Sequence, residues 1–374
     1  MKKIICFPFR GDNLGGSHII ALDIIKSLRK KKYKVIIVLH KKGKLSNYLK
    51  EKKIKFLFLP IKDFEITKKN IIFNFFSILK ILFKITFFIK KNKINTIHTN
   101  TTDMHLLWLF PSKFIRSQII WHLHAKFPSW PLFNILSKRA DKFIAISNYV
   151  LNSVPKKLKN NTFLLRNCIK TNFVKTNKKK NSLKLRNSLG INKDTKIILF
   201  FSNFYKRKQP YMFIKIAKKI LMSSKKDFFF LMAGDDRDIT RAMLLKEIKK
   251  SKLQNNFCLY KFQNDKNYII SGSDLLITPS IEEPFGLTLI ESMEIGTPVI
   301  ALKSGGHKEI IRNNYNGILI NKNEADIYMK KIYKLFNNNN LRNKIIKNEK
   351  TYLKNNNNFN HYVKNLIKIY QVGM

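Results

Sequence analysis

The chain has 374 residues, 44% hydrophobic and 26% charged, which suits about two domains with real cores and excludes a disordered tail. Lys and Arg number 73 against 23 Asp and Glu, a formal charge of +50 that points either to an anionic partner or to compositional drift toward Lys, Asn, Ile and Phe. Three cysteines, Cys6, Cys168 and Cys258, lie far apart with no C-x-x-C, which excludes a thiolate zinc ribbon and a disulfide scaffold.

The N-terminus is not expected to be a secretory signal, because Pro8, Arg10 and Asp12 interrupt its apolar run and no small-residue cleavage site follows. Ile4 to Phe9 reads as a buried strand, residues 11–16 as a glycine loop, and Ala21, Ile24, Ile25 and Leu28 recur at helical spacing. Lys34 to Leu39 is a second strand. Strand, glycine loop, helix, strand is a βαβ unit and implies a parallel sheet. Apolar runs at Lys55 to Leu59, Thr96 to His98, Gln118 to Leu123 and Phe143 to Ile146 continue it. Ile71 to Lys90 is long enough to span a membrane. However, Asn74, Ser77, Lys80 and Lys84 mark one polar face, so an amphipathic helix is expected instead. It either packs on the protein's own sheet or docks Phe73, Phe76, Phe83 and Phe87 on a bilayer.

A basic stretch around Lys178-Lys179-Lys180 reads as a linker, after which the α/β pattern restarts at Lys196 to Phe201. A helix is expected over about 209–223, strands at Phe228 to Met232, Phe257 to Tyr260, Asp274 to Thr278 and Pro298 to Ala301, and another helix from about Gly286. The expected layout is residues 1–170 as one domain, 171–190 as basic linker and 191–354 as a second domain. The expected closing element is a terminal helix at 355–374 packing back toward the first domain, with asparagine-rich breaks at 337–340 and 355–358. The class is α/β, two Rossmann-like domains facing across a cleft at their strand C-termini.

Gly15 and Gly16 lie between strand and helix, where backbone N–H groups favour a phosphate. The spacing is not G-x-G-x-x-G, and the place of the ribose-binding acid after the second strand reads His40-Lys41-Lys42, which disfavours NAD. The strongest signal is Pro279 to Glu291. Five of the chain's few acids, Glu282, Glu283, Glu291, Glu294 and Glu309, fall within 280–309, where an even spread would place about two. With a helix starting near Gly286, Glu283 lies in the loop before it and Glu291 on its second turn. The helix start offers free N–H groups to an anion, and an ionised Glu291 accepts hydrogen bonds from sugar hydroxyls.

Glu283 and Glu291 form an E-x7-E pair inside P-S-x-x-E-x-F-G-L-x-L-x-E-S-M-x-x-G-T-P-V-I-A. This resembles the signature of retaining GT-B glycosyltransferases of family 4. The likeness continues through Ser304-Gly305-Gly306-His307-Lys308-Glu309 and Asn316-Gly317. Weaker likenesses lie at Asn13 to Ser17, Ile97 to Asn100, Trp121 to His124, Arg166-Asn167 and Ala233-Gly234-Asp235. The resemblance implies a nucleotide-sugar donor, UDP- or GDP-linked, held mainly by the second domain. It further implies transfer with retention and no obligatory metal or cofactor. It assigns Glu291 to the donor ribose and Glu283 to the donor sugar. Lys208, Arg207 and the N–H groups of Phe285, Gly286, Leu287 and Thr288 are assigned to the diphosphate, Gly15 and Gly16 to the loop beneath the phosphates, and His124 to the sugar from the first domain. His122 is an alternative; His124 is preferred because it comes later, at the expected strand end. Where the family often carries an arginine after the first strand of this domain, the chain has Asn203.

The implied acceptor is a growing glycan or glycolipid of the lipopolysaccharide, capsule or lipid-linked type, met from the cytoplasm at the inner face of an anionic membrane. A sugar-nucleotide epimerase of the same architecture and a non-enzymatic basic nucleic-acid or membrane binder are the rival readings. Scattered rather than striped cations, with no nucleic-acid motif, disfavour nucleic acid.

Overall fold

The computed structural model describes residues 3–61, 75–170, 177–223, 227–260 and 266–372. They form two compact units, 1–168 with 359–374, and 169–358.

The first unit is built on strands β1 (Ile4–Phe9), β2 (Lys34–Leu39), β3 (Leu57–Phe58), β4 (Thr96–Thr99), β5 (Gln118–Leu123), β6 (Lys142–Ala145) and β7 (Thr162–Leu164). Their spatial order is β3-β2-β1-β4-β5-β6-β7, and every pairing is parallel. The second unit is built on β8 (Lys196–Phe201), β9 (Phe228–Ala233), β10 (Phe257–Tyr260), β11 (Leu275–Thr278), β12 (Val299–Leu302) and β13 (Ile318–Ile320). These run β10-β9-β8-β11-β12-β13, again all parallel. The second order is the doubly wound 3-2-1-4-5-6 arrangement, and the first is the same with a seventh strand added at its end. The order reverses beside β1 and β4 in one unit and beside β8 and β11 in the other, and ligands gather outside the strand C-termini at such points.

Parallel strands covered on both faces read as continuous apolar runs rather than alternating ones. Phe228–Ala233, FFFLMA, is buried throughout. Its rings join those of Phe200, Phe213 and Phe257 in the second unit's core, each burial stabilising by about 1.5–3 kcal/mol.

Two expected boundaries are corrected. Most of the expected linker is a helix, Lys178–Leu189, capped by the Asn177 side chain on Lys180 N–H and closed by Gly190 in the left-handed region. It belongs to the second unit. Arg186 is buried and donates to Thr195 O and, at 2.5 Å, to Asp274, while Lys178 donates to Gly296 O. Only 171–176 of that stretch lie outside the described residues. The asparagine runs are likewise junctions rather than breaks. Asn338 caps the helix Asn339–Asn356, and Asn357 exchanges two hydrogen bonds with the Ile169 backbone.

The amphipathic segment is a helix over Phe75–Lys91; Phe73 lies outside the described residues. Ile85 and Ile89 are buried, whereas Phe83 and Phe87 are 70% and 66% exposed. Among the described residues no helix is long and apolar enough to cross a membrane.

Candidate functional site

In the second unit the loop after β8 carries Arg207 and Lys208, and the loop after β11 carries Glu283. The strands are neighbours, so residues 75 apart in sequence meet: Lys208 Nζ donates to Glu283 Oε2 at 2.5 Å, and Arg207 Nη1 approaches the same oxygen at 3.4 Å. The Glu283 carboxylate is buried, and burial alone would raise its pKa. Lys208, His307 and Arg207 more than offset this and hold it down at about 2. Burial lowers the Lys208 ammonium, and Glu283 opposes that effect.

The Glu283 loop is clamped from the far side by Ser304-Gly305-Gly306. Ser304 Oγ accepts from Glu282 N–H, and Gly306 N–H donates to Glu283 O at 2.7 Å. A Cβ on Gly305, whose φ is +53°, would lie 2.1 Å from Glu283 O, and one on Gly306 would lie 2.6 Å from Phe285 Cα. Only glycine allows the loops this close. His307, which follows them, is buried with Nδ1 2.9 Å from Leu302 O.

The helix after this loop is Leu287–Ile295, with Gly286 as its cap at φ 114°. Leu287 and Thr288 lie in its first turn, whose N–H groups have no acceptor within the helix. Phe285 is buried beneath. Glu291, one turn further on, is paired with Lys266. Beside it Glu294 is pushed up to about 7, by burial first and by the Glu291 charge second, with Lys266 opposing. Asn203 accepts from Asp235 N–H at 3.2 Å and so braces its own loop.

The first unit assembles a second group at the ends of β1, β4 and β5. Gly15 caps the helix Gly16–Lys30 and donates its N–H to His18 Nδ1 at 3.2 Å. That donor is therefore already engaged, whereas Gly16 opens the helix. His124 Nε2 lies 3.1 Å from Asn100 Oδ1. Burial, with His18 nearby, keeps its imidazole neutral at pH 7. His122 is completely buried behind it, rings 4.2 Å apart, with Nδ1 3.1 Å from His98 Nε2. His98 Nδ1 in turn meets Tyr370 Oη at 2.9 Å, from the terminal helix Phe359–Gln371. Between the two candidates, His124 stands at the partly accessible end of the row and His122 inside it.

Each unit thus gathers its own expected residues: Lys208, Arg207, Glu283, Phe285, Gly286, Leu287, Thr288 and Glu291 in one, Gly15, Gly16 and His124 in the other. Sequence reading passed over His18, Asn100, Lys266, His307 and Tyr370 as site residues. The contacts of Asn100, Lys266 and Tyr370 are made across the fold, whereas those of His18 and His307 are local; His307, like Gly305 and Gly306, lies inside the matched motif, and Asn100 in one of the weaker likenesses. Among the described residues no three His, Cys, Asp or Glu side chains are grouped as metal ligands.

Two family models match. Glycosyltransferase Family 4 covers residues 14–172 and Glycosyl transferases group 1 covers residues 181–352. Between them they take in most of the chain, which belongs to this glycosyltransferase family. An uncharacterised glycosyltransferase of Methanocaldococcus jannaschii is 28% identical over 234 residues, 59% of this chain and 57% of the relative. The UDP-Gal:α-D-GlcNAc-diphosphoundecaprenol α-1,3-galactosyltransferase of Escherichia coli is 24% identical over 147 residues, 38% of this chain and 36% of that protein. The chain therefore matches about half the length, or less, of these curated relatives. Among solved structures, Anabaena HepE in complex with UDP and glucose superposes with a TM-score of 0.84 at 19% identity, covering 99% of both chains. The two parallel-sheet units are those of GT-B glycosyltransferases.

Proposed function

We propose that the chain is a retaining glycosyltransferase that moves a hexose-type sugar from a UDP- or GDP-linked donor to a growing glycan. The observation that carries this is the Arg207–Lys208–Glu283 cluster set against an open helix start. Breaking a sugar–phosphate bond leaves negative charge on the departing diphosphate, and fixed cations and N–H dipoles aimed at that charge stabilise it without reorganising. Lys208 spends one of its three N–H donors on Glu283 and keeps two for phosphate oxygens. Arg207 and the first-turn N–H groups of Leu287 and Thr288 supply the rest of the positive field. No metal is then required for charge neutralisation, and transfer should survive EDTA.

Glu291, oriented by Lys266, accepts the ribose hydroxyls. His124, with Nε2–H donating to Asn100, turns a neutral Nδ1 lone pair to a sugar hydroxyl. UDP in the Anabaena neighbour and the diphosphoundecaprenol acceptor in the name of the Escherichia coli relative support the donor class and a lipid-linked acceptor. The exposed Phe83 and Phe87 support peripheral contact with the cytoplasmic face of an anionic membrane.

The test is a thermal-shift screen of UDP- and GDP-sugars, followed by titration of Glu291→Ala. A donor at 100 times its Kd should stabilise the protein by about 2.7 kcal/mol. Glu291→Ala should weaken donor binding by about 1.5–3 kcal/mol, the range for a hydrogen bond to a charged group. No response to any nucleotide sugar would overturn the reading.

A further inference from the structure

At the opposite edge of the first unit's sheet, where β1, β4 and β5 begin, lies a cavity of about 440 Å³. Lys3, Lys90, Lys93 and Arg116 line it with Asn95 and Gln118, and among the described residues no acidic side chain does. Lys90, Lys93 and Arg116 make no ion pair among the described residues. Gln118 Oε1 is buried without a hydrogen-bond partner among them. By contrast, the cavity around Asp194 and Asp227 in the second unit balances Lys193 and Lys196 with those two acids.

The cavity sits at the C-terminal ends of the helices Phe75–Lys91 and Thr102–Phe114, whose carbonyls would oppose an anion if left free. They are engaged. Ile94 N–H bonds Ile89 O and Lys93 N–H bonds Lys90 O. Ser117 N–H bonds Ser112 O, Arg116 N–H bonds Lys113 O, and Ser117 Oγ takes Ile94 O. The cations set the field.

The same two helices carry exposed phenylalanines. Phe83 and Phe87 are 70% and 66% exposed on the first, and Phe110 and Phe114 are 50% and 79% exposed on the second. Phe114 directly precedes the cavity residues Ile115 and Arg116, and Phe87 lies one turn before Lys90.

We propose that this cavity binds the phosphate of an anionic phospholipid headgroup while the four phenylalanines enter the bilayer interface. This sharpens, and rests on, the membrane contact proposed above. A soluble polyanion gives the exposed phenylalanines nothing to do, and an apolar protein partner leaves Lys90, Lys93 and Arg116 unneutralised; an anionic bilayer complements both. Gln118 Oε1 suits a headgroup hydroxyl. The strands are six residues long at most, so the tether stands about 20 Å from the edge that carries Gly15 and His124. It holds the protein by the end away from its chemistry, which suits an acceptor whose reacting sugar projects from the membrane.

The experiment is flotation of the full chain with phosphatidylcholine vesicles, with and without phosphatidylglycerol. Lys93→Gln/Arg116→Gln should lower affinity for phosphatidylglycerol vesicles by about 30-fold, the equivalent of about 1 kcal/mol per basic residue at an anionic leaflet. A charge-matched control, Lys246→Gln/Lys249→Gln on an exposed helix of the second unit, should change it less than about twofold. Arg116→Lys keeps the charge and loses the fork that grips a phosphate, so it should fall between the two. Circular dichroism checks that each variant folds. If the cavity pair binds like the control, or Arg116→Lys binds like wild type, the headgroup site is wrong and the general membrane contact stands. If wild type ignores phosphatidylglycerol, both fall. Saturable binding of inorganic phosphate or glycerol 3-phosphate without vesicle binding would assign the cavity to a soluble anion and overturn the lipid assignment. Preferential binding of an RNA oligomer that competes with vesicles would do the same for nucleic acid.

Discussion

Replacing Glu283 with Gln keeps the shape of the loop and removes the charge that Lys208 and Arg207 share. The carboxyl sits at about 2 instead of its ordinary 4.5, worth about 3 kcal/mol at 1.36 kcal/mol per tenfold change in proton affinity. This agrees with the cost of removing one member of a buried pair, about 3–5 kcal/mol. The sign follows from the direction. A carboxylate held below its unfolded value stabilises the protein above about pH 4.5 and loses that contribution as pH falls toward 2. Wild type should therefore shed about 2 kcal/mol from this group between pH 6 and pH 3, while Glu283→Gln, already destabilised at pH 7, should lack that component. Adding Lys208→Met to the variant removes the stranded ammonium and should recover about 1–2 kcal/mol. The assay exploits an accident of composition: all three tryptophans, Trp108, Trp121 and Trp130, lie in the first unit. Urea unfolding followed by circular dichroism sees both units, and tryptophan fluorescence sees one. The change should appear in the transition that fluorescence does not report. Equal stability of Glu283→Gln and wild type at pH 7, with parallel curves down to pH 3, would refute the assignment of Glu283 as an ion-paired carboxylate.

Glu294→Gln should act in the reverse direction. A carboxyl raised to about 7 costs stability as pH climbs past 4.5, so the variant should match wild type near pH 4 and exceed it at pH 8 by about 1 kcal/mol after solvent screening; a gain at low pH instead would contradict this. Tyr370→Phe strands His98 Nδ1 and should cost about 1–3 kcal/mol, read this time by tryptophan fluorescence, with the second unit's transition unmoved. Gly306→Ala forces a Cβ against the Phe285 backbone and should cost about 1–3 kcal/mol together with a larger share of donor affinity, because the displaced loop carries Glu283; unaltered donor titrations would show that the clamp does not position the site.

Strand runs such as Ile4–Phe9 and Lys196–Phe201, the glycine before the helix at Leu287, and the chemistry of the loop from Pro279 to Glu291 were legible in the sequence. They depend on neighbours a few positions away, where periodicity and cap residues act. What those residues touch was not legible. Lys208 meets Glu283 because the doubly wound order places β11 beside β8 rather than beside β10, its predecessor in the chain. Tyr370 reaches His98 across 272 positions, because the last helix packs against the helix Gly16–Lys30 of the unit that the first strand begins. The helix Lys178–Leu189 looked like a charged linker because its stability rests on one buried leucine and a buried arginine bonded to Asp274 and the Thr195 carbonyl, not on an apolar stripe. Local pattern thus marked most of the elements and the reactive groups they carry. Tertiary structure decided which charges are paired, which imidazoles are buried and neutral, and which phenylalanines face water, because burial and pairing are properties of neighbours that only the folded sheet brings together.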